Sequence, residues 1–385
     1  MSAAQWRRAM NGGLRHAAGL SRPLPAAAAS TASAATARPV PDPYADSGAP
    51  DWLKFLWRTL SARHVFTLIA VLLLPAVATP FLTFQVAAQA LVLGLIALSL
   101  TFLGGYGGMV SLAQMSVAGM AGYAVAVFGS SSTPISLGWP WWVAVPAALV
   151  VATACATVIG WLSVRTEGIY TIMITLAFGV AFYYLVLQNY TVFNGFQGFQ
   201  KVYPPDVFGI QWRDPVPFYF LSLFWAMAGY FAVKWMVRTP FGVALQGVRD
   251  NPRRMAALGF DVVAHRVAAY SVAGLMAAVG GVLLVWYNGL ITPGSVNTGW
   301  QINILVIAVL GGMRHPIGAF LGAVVFVLLQ TFAIDVIDRE RFNLVIGVVF
   351  LAIVLFSPDG LLGLWAKLRS RFGPNQTVTS PQRRH

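Results

Sequence analysis

The chain has 385 residues, of which 58% are hydrophobic and only 10% are charged, and its formal net charge is +13. An ordinary soluble domain carries roughly 25% charged residues, so this composition excludes that class. The single cysteine, Cys155, excludes an intrachain disulfide and a cysteine-based metal site.

The first 64 residues differ in composition from the rest of the chain. Pro23 to Pro50 is rich in Ala, Pro, Ser and Thr, which predicts disorder because too few apolar side chains are present to form a core. Residues 1–38 carry five arginines and no acid, a composition that also fits an organellar transit peptide. We interpret residues 1–64 as a disordered cytoplasmic tail, with the transit peptide as the alternative.

Two long runs without Asp, Glu, Lys, Arg or His follow, Val65 to Val164 and Val267 to Met313. Each membrane crossing needs about 20 mainly apolar residues, so each run is long enough for several crossings. Backbone polar groups in lipid must be satisfied within the protein, which favours helices here. The sequence therefore predicts an all-α, polytopic bundle of about 8–10 spans within a domain over 65–365. The expected spans are 65–83, 86–103, 109–129, 139–162, 168–189, 216–236, 267–291, 297–313, 317–334 and 342–358.

Positive charges are distributed unequally between the two ends of these spans. Ten spans place both termini on one side, together with 21 of the 25 Lys and Arg residues. Cytoplasmic loops carry an excess of Lys and Arg, so the charge indicates orientation and not nucleic-acid binding. We predict a multi-pass inner-membrane protein whose termini, including the 366–385 tail, are cytoplasmic. Segments 109–129 and 297–313 could instead be re-entrant or half-spanning, which would change the count.

Titratable groups are missing from the middle of the expected spans. Proton-coupled transport usually needs Asp, Glu or His within the membrane, so the pattern favours an energy source outside it. A sodium-coupled carrier that uses backbone carbonyls stays open as an alternative, as does a membrane-embedded enzyme or a scaffold. No Gly-Lys dipeptide occurs, so the chain has no G-x-x-x-x-G-K-[ST] phosphate-binding loop. If ATP drives the protein, another subunit hydrolyses it.

A basic loop over 238–266 separates two long apolar segments. Asp250 and Asn251 suit a helix N-cap and Pro252 suits the first helical position, while Gly259 suits the position after the C-cap. The sequence thus predicts a short helix with a flat face of small side chains, suited to a groove on a soluble partner. The alternative is a loop that only holds orientation, with arginines at lipid headgroups. The residues expected to meet the partner are Arg249, Asp250, Asn251, Arg253, Arg254, Ala256, Ala257 and Gly259.

The stretch Gly104 to Gly108 contains four glycines, which favours close backbone approach or a broken helix. A broken helix exposes polar backbone to a cavity, and polar residues follow it directly. A second polar set, at helical spacing, is predicted to share one face. The alternative is that these residues serve helix packing or bond their own helix. The expected pathway residues are Ser111, Gln114, Ser116, Tyr170, Thr171 and Thr175.

Four blocks of the chain, over 104–123, 165–179, 238–259 and 310–323, resemble in order the blocks of branched-chain amino acid ABC transporter permeases of the LivM type. The resemblance covers roughly 65–365. It implies an ABC importer permease fold and a transport subunit with no catalytic residues, no metal site and no cofactor of its own. The loop 238–266 would then dock into a cleft of an ATPase that uses ATP.

The resemblance also implies partners and a solute. The partners would be a second homologous permease forming a heterodimer, two cytoplasmic ATPase subunits, a periplasmic substrate-binding protein and membrane lipid, with no nucleic acid. The solute would be a branched-chain or other apolar amino acid moved by alternating access. Urea or short amides are alternatives within related permeases.

The predicted orientation can be tested by labelling the loop. We expect a chain carrying Cys155→Ala and Arg253→Cys to react with a membrane-impermeant maleimide in inside-out vesicles and not in intact cells. Labelling from the outer face of intact cells would contradict the assignment of 238–266 to the cytoplasm. The chain with Cys155→Ala alone is the control for background reaction.

Overall fold

The computed structural model describes residues 74–75, 78–131, 133–166, 168–206, 209, 211–336, 347–348, 351 and 360–363. The tails over 1–64 and 366–385 lie outside these ranges, as do most of the expected spans 65–83 and 342–358.

Helices dominate the described residues. We number them in chain order as α1 (Leu82–Tyr106), α2 (Gln114–Phe128), α3 (Trp141–Ser163), α4 (Ile169–Gln188), α5 (Tyr190–Phe193), α6 (Pro215–Met236), α7 (Pro240–Asp250), α8 (Pro252–Ala257), α9 (Val262–Asn288), α10 (Thr298–Gly311) and α11 (Pro316–Val336). Two short 3₁₀ turns lie at Gly195–Gln197 and Pro293–Val296. The strands β1 (Phe199–Gln200) and β2 (Leu290–Ile291) pair antiparallel, with Phe199 opposite Ile291.

Five of these helices are long and apolar enough to cross a membrane: α1, α3, α4, α6 and α9. A sixth candidate is the pair α10 and α11, which is bent by 117° at the break between them. Helix α2 has 15 residues, fewer than the roughly 20 of a crossing, as the half-spanning alternative for 109–129 predicts. The predicted all-α, polytopic fold is confirmed, with five or six candidate spans in the described part of the chain.

Helix α1 forms the buried centre of the bundle. It packs against α6, α9, α10 and α11, and 83% of its apolar window is buried, compared with 28% for α3 and for α4. Lipid tails are as apolar as the side chains, so helices associate by close packing at small residues. Gly94 of α1 lies against Phe320, and Gly280 of α9 lies against Ile96. Gly94 and Gly280 therefore allow α1 to pack closely against α11 and α9.

The loops are sorted into two ends of the bundle. The Arg249 side chain reaches Gly105, whose α-carbon lies against the Met313 carbonyl, so these three residues are at one end. Helix α9 begins after this loop and runs for 27 residues, about 40 Å, to the end where β1 and β2 pair. Arg213 lies there, over the Tyr203 ring. This division separates the loop 238–266 from Arg213, as the charge pattern predicts.

The close approach of α2 and α9 makes one glycine a stability test. A Cβ at Gly281 would collide with the backbone of Ala118, which cannot move aside as a side-chain end can. We expect Gly281→Val to destabilise the protein by more than the roughly 1–3 kcal/mol typical of overpacking, measured as a lower melting temperature in detergent. Gly294→Ala is the control, because a Cβ at Gly294 would be 3.5 Å from Thr292 Oγ1, an ordinary van der Waals distance. Equal melting temperatures of the two variants would contradict the packing.

Candidate functional site

Helix α8 has the ends that the sequence predicts. The Asn251 side chain accepts a hydrogen bond from the Arg254 backbone N–H at 2.9 Å, and Pro252 occupies the first helical position. At the other end, Phe260 N–H bonds the Met255 carbonyl and Gly259 N–H bonds the Ala256 carbonyl. This pair of bonds is a Schellman motif, whose left-handed position is Gly259 with φ of +89°. The short helix predicted between Asn251 and Gly259 is therefore confirmed.

The surface of α8 is exposed and mixes positive charge with apolar groups. Its exposed residues are Arg253, Arg254, Ala256 and Ala257, followed by Leu258, Gly259 and Phe260. Leu258 is 68% exposed and Phe260 is 41% exposed. Small side chains between cations and apolar ends suit a groove with acidic residues around it. The surface of α8 therefore has the features of a binding surface for a partner protein.

Helix α7 holds α8 against the bundle. The Thr239 side chain accepts a hydrogen bond from Gly242 N–H at the start of α7. Leu245 and Val248 are fully buried on the face of α7 that meets the bundle. Met255 of α8 lies against Gly247 of α7, where a Cβ would come within 2.8 Å of the Met255 sulfur. Helix α8 is therefore in direct contact with α7.

The Arg249 side chain is 37% exposed, as a partner contact requires, and it also bonds its own chain. Its Nε and Nη2 atoms both lie 2.9 Å from Asp250 Oδ1, and its Nη1 donates a hydrogen bond to the Gly105 carbonyl. Arg249 is thus occupied by its own chain, because the last turn of α7 lies beside the end of α1. Asp250, whose side chain is 66% exposed, still faces outwards.

The glycine-rich stretch ends α1, as the broken-helix prediction states. Helix α1 continues as a π-helix to Tyr106, and Gly108 then adopts a left-handed φ of +67° that directs the chain away. Helix α2 begins at Gln114. The intervening residues, 107–113, form a turn within the bundle, which we call the break segment. Residues 111–113 are buried, so their backbone polar groups require partners within the protein.

Most of the expected pathway residues are buried around the break segment. Leu112 N–H donates a hydrogen bond to Thr175 Oγ1 at 3.1 Å, and Ala113 N–H bonds Ser111 Oγ at 3.3 Å. The Gln114 side chain accepts a hydrogen bond from Ser99 Oγ at 3.1 Å. The buried members of the set are Ser111, Gln114, Ser116, Thr171 and Thr175. Ser111, Gln114 and Thr175 therefore bond the break segment and the helices beside it.

Tyr170 does not share the face of Thr171 and Thr175, contrary to the expectation. It is 70% exposed, whereas both threonines are buried. Positions four apart lie on one side of a helix, but a position one residue earlier is turned by about 100°. Thr175 also donates to the Ile172 carbonyl of its own helix at 3.0 Å, as the alternative for such threonines predicts, and Thr171 donates to the Thr166 carbonyl just before α4.

Two residues at the break are absent from the sequence-based set. Ser99 holds Gln114, and its sequence signal is a lone hydroxyl within the apolar run of α1. Met313 contacts Gly104 and Gly105, and no local pattern marks it, because the contact joins segments about 200 positions apart. The Ser116 hydroxyl is buried and makes no hydrogen bond with the described residues.

A small cavity lies between α2, α9 and the residues after β2. Its wall is mainly apolar and includes Met115, Leu284, Val285, Ile291 and Val296, with Asn288 as an amide. It lies towards the end where the strands pair. Within the described ranges no three His, Cys, Asp or Glu residues gather in a group that could hold a metal ion.

Comparison with known proteins identifies the class. The family model described as "Branched-chain amino acid transport system / permease component" matches residues 82–354, more than half of the chain. The chain therefore belongs to this permease family and is a multi-pass membrane subunit of an ABC importer, without a catalytic role of its own.

Individual relatives agree with this assignment. The chain is 24% identical over 330 residues to the high-affinity branched-chain amino acid transport system permease protein LivM of Escherichia coli K12, covering 78% of this chain and 76% of the relative. It is 24% identical to the LivM of Salmonella typhimurium over 76% of this chain and 73% of the relative. The autoinducer 2 import system permease protein LsrC of Escherichia coli O157:H7 is 30% identical over 35% of this chain and 41% of the relative. No solved structure matches the chain.

The Thr175 hydroxyl gives a test of the break segment. We expect Thr175→Val to leave the Leu112 N–H buried without an acceptor and to destabilise the protein by about 1–3 kcal/mol. The readout is the melting temperature of the purified protein in detergent. Thr175→Ser keeps the hydroxyl and is the matched control. A melting temperature for Thr175→Val equal to that of Thr175→Ser would show that this bond is not needed.

Proposed function

We propose that this chain is the permease subunit that moves branched-chain or other apolar amino acids across the inner membrane by alternating access. The observation that carries the proposal is the exposed, doubly capped helix α8, held by α7 against the break between α1 and α2. An ABC importer requires such a rigid contact, because ATP is hydrolysed outside the membrane. The family membership and the two LivM relatives support the solute class.

The partner for α8 is the ATPase subunit of the importer. Arg253 and Arg254 present positive charge beside Ala256 and Ala257, which are small enough to enter a cleft. A loop that only met lipid headgroups would not need caps at both ends, since charge alone draws basic segments to anionic lipid. In this proposal ATP binds and is hydrolysed in two such cytoplasmic subunits, and this chain binds no cofactor.

The remaining partners follow from the class of importer. A second, homologous permease completes the translocation pathway as a heterodimer, and a periplasmic binding protein delivers the solute. The cytoplasmic side of the membrane holds the loop 238–266, Arg165, Arg314 and both termini, as the excess of positive charge there indicates.

The solute preference is consistent with the polar groups around the break. The buried hydroxyls and the amide carry no charge, and several bond the backbone or each other. Such surroundings suit an apolar side chain better than a charged one, because an unpaired charge is costly to bury. Urea or short amides are the second candidate class, and the partial similarity to an autoinducer 2 permease shows that related chains serve other solutes.

The experiment that tests the function is reconstitution with the predicted partners. The chain is co-expressed with the second permease and the ATPases encoded beside it, purified, and placed in liposomes with the neighbouring binding protein. We expect uptake of radiolabelled leucine, isoleucine or valine that requires both ATP and the binding protein. Uptake without ATPase subunits would favour an ion-coupled carrier, and uptake of urea alone would favour the second solute class.

Gly259 provides a test of docking within this system. Its φ of +89° strains a β-branched residue, while no atom of the described residues lies within 4 Å of its side-chain position. We expect Gly259→Val to abolish transport-coupled ATP hydrolysis while the protein still inserts into the membrane. Gly259→Asn is the control, since asparagine adopts the left-handed region more readily. Normal coupled hydrolysis in Gly259→Val would contradict the docking role of α8.

A further inference from the structure

Arg249 lies where the exposed loop meets the bundle. It is in the last turn of α7, two residues before the Asn251 cap of α8. Its guanidinium donates to the carbonyl of Gly105, and its methylene groups lie against Gly108. Leu245, one turn earlier on α7, is buried and is 3.9 Å from the side-chain position of Gly107. The last turns of α7 therefore contact Gly105, Gly107 and Gly108.

Asp250 fixes the direction of this side chain. One carboxylate oxygen, Oδ1, lies 2.9 Å from both Nε and Nη2, which leaves Nη1 directed at Gly105. A planar guanidinium held at two of its nitrogens cannot rotate without breaking those bonds. The contact between α7 and the end of α1 is therefore directional, unlike the apolar contact of Leu245.

The glycine stretch 104–108 also contacts the connection between α10 and α11. The Gly105 α-carbon lies against the Met313 carbonyl, and a Cβ at Gly104 would come within 2.9 Å of the Met313 sulfur. Met313 is in the connection between α10 and α11, where the chain bends by 117°. On the other side of the break segment, Leu112 N–H is held by Thr175 of α4. Gly105 is therefore in contact with the connection between α10 and α11, and the segment that follows it is bonded to α4.

We propose that Arg249 is a positioning residue that transmits movement of α8 to the break between α1 and α2, and through it to the bend between α10 and α11. This inference rests on the proposed function, because it assumes that an ATPase moves α8. The role differs from that of Arg253 and Arg254, which are exposed on α8 and face the partner. Arg249 is 37% exposed but bonds the end of α1, and it determines how efficiently docking is converted into transport.

The experiment compares three variants in the reconstituted complex, Arg249→Ala, Arg249→Lys and Arg253→Ala. The measurements are the amount of ATPase subunit that co-purifies, the rate of ATP hydrolysis, and the amount of solute moved per ATP hydrolysed. We expect Arg249→Ala to retain its ATPase subunits and to hydrolyse ATP, while solute moved per ATP falls roughly tenfold, within the usual range of coupling effects. Arg249→Lys should recover part of this loss, because an ammonium group can still donate to the Gly105 carbonyl.

Arg253→Ala removes the same charge from the same loop and is the matched control. It should lower the amount of co-purified ATPase, with solute moved per ATP unchanged in the complexes that form. An unchanged ratio in Arg249→Ala would overturn the inference, and so would a loss of ATPase subunits matching that of Arg253→Ala. Failure of the wild-type chain to bind any ATPase would overturn the proposed function and this inference together.

Discussion

Backbone groups that leave a helix have to find other partners, and the turn between α1 and α2 shows how this chain meets that requirement. The Gly105 carbonyl receives a hydrogen bond from Arg249, and the Leu112 amide donates to Thr175. The partners come from α7 and α4, so the turn is joined to two other helices by bonds that replace those of a continuous helix. The turn between α1 and α2 is therefore also the place where α4 and α7 are bonded to this part of the chain.

This junction lies beside the surface that we assign to the ATPase. Helix α8 is exposed, but its Met255 side chain lies against α7. Helix α7 in turn contacts the glycine stretch at the end of α1 through Arg249 and Leu245. Spans without titratable groups have no proton relay of their own, and in the proposed function energy arrives as movement of α8. A rigid connection from an exposed helix to the broken helix is the arrangement that such a transporter requires.

Local patterns were sufficient to predict the short helix of the loop. The side chain of Asn251, the ring of Pro252 and the freedom of Gly259 act within a few residues, so their roles are readable without a tertiary structure. The long apolar spans were predicted for the same reason, because hydropathy depends on composition and length alone. The prediction for Tyr170 was wrong because one residue of helical offset moves a side chain from the buried face to the exposed one.

The sequence by itself determined that the chain is an all-α membrane protein of a permease family, with a capped basic helix between α7 and α9 and a break after Gly104. Only the tertiary structure decided that Arg249 bonds the Gly105 carbonyl, that Met313 lies against Gly104 and Gly105, and that Thr175 bonds Leu112. Caps and spans follow from neighbours along the chain. Contacts between residues more than 60 positions apart depend instead on how the helices pack, and many helix arrangements would satisfy the same apolar pattern.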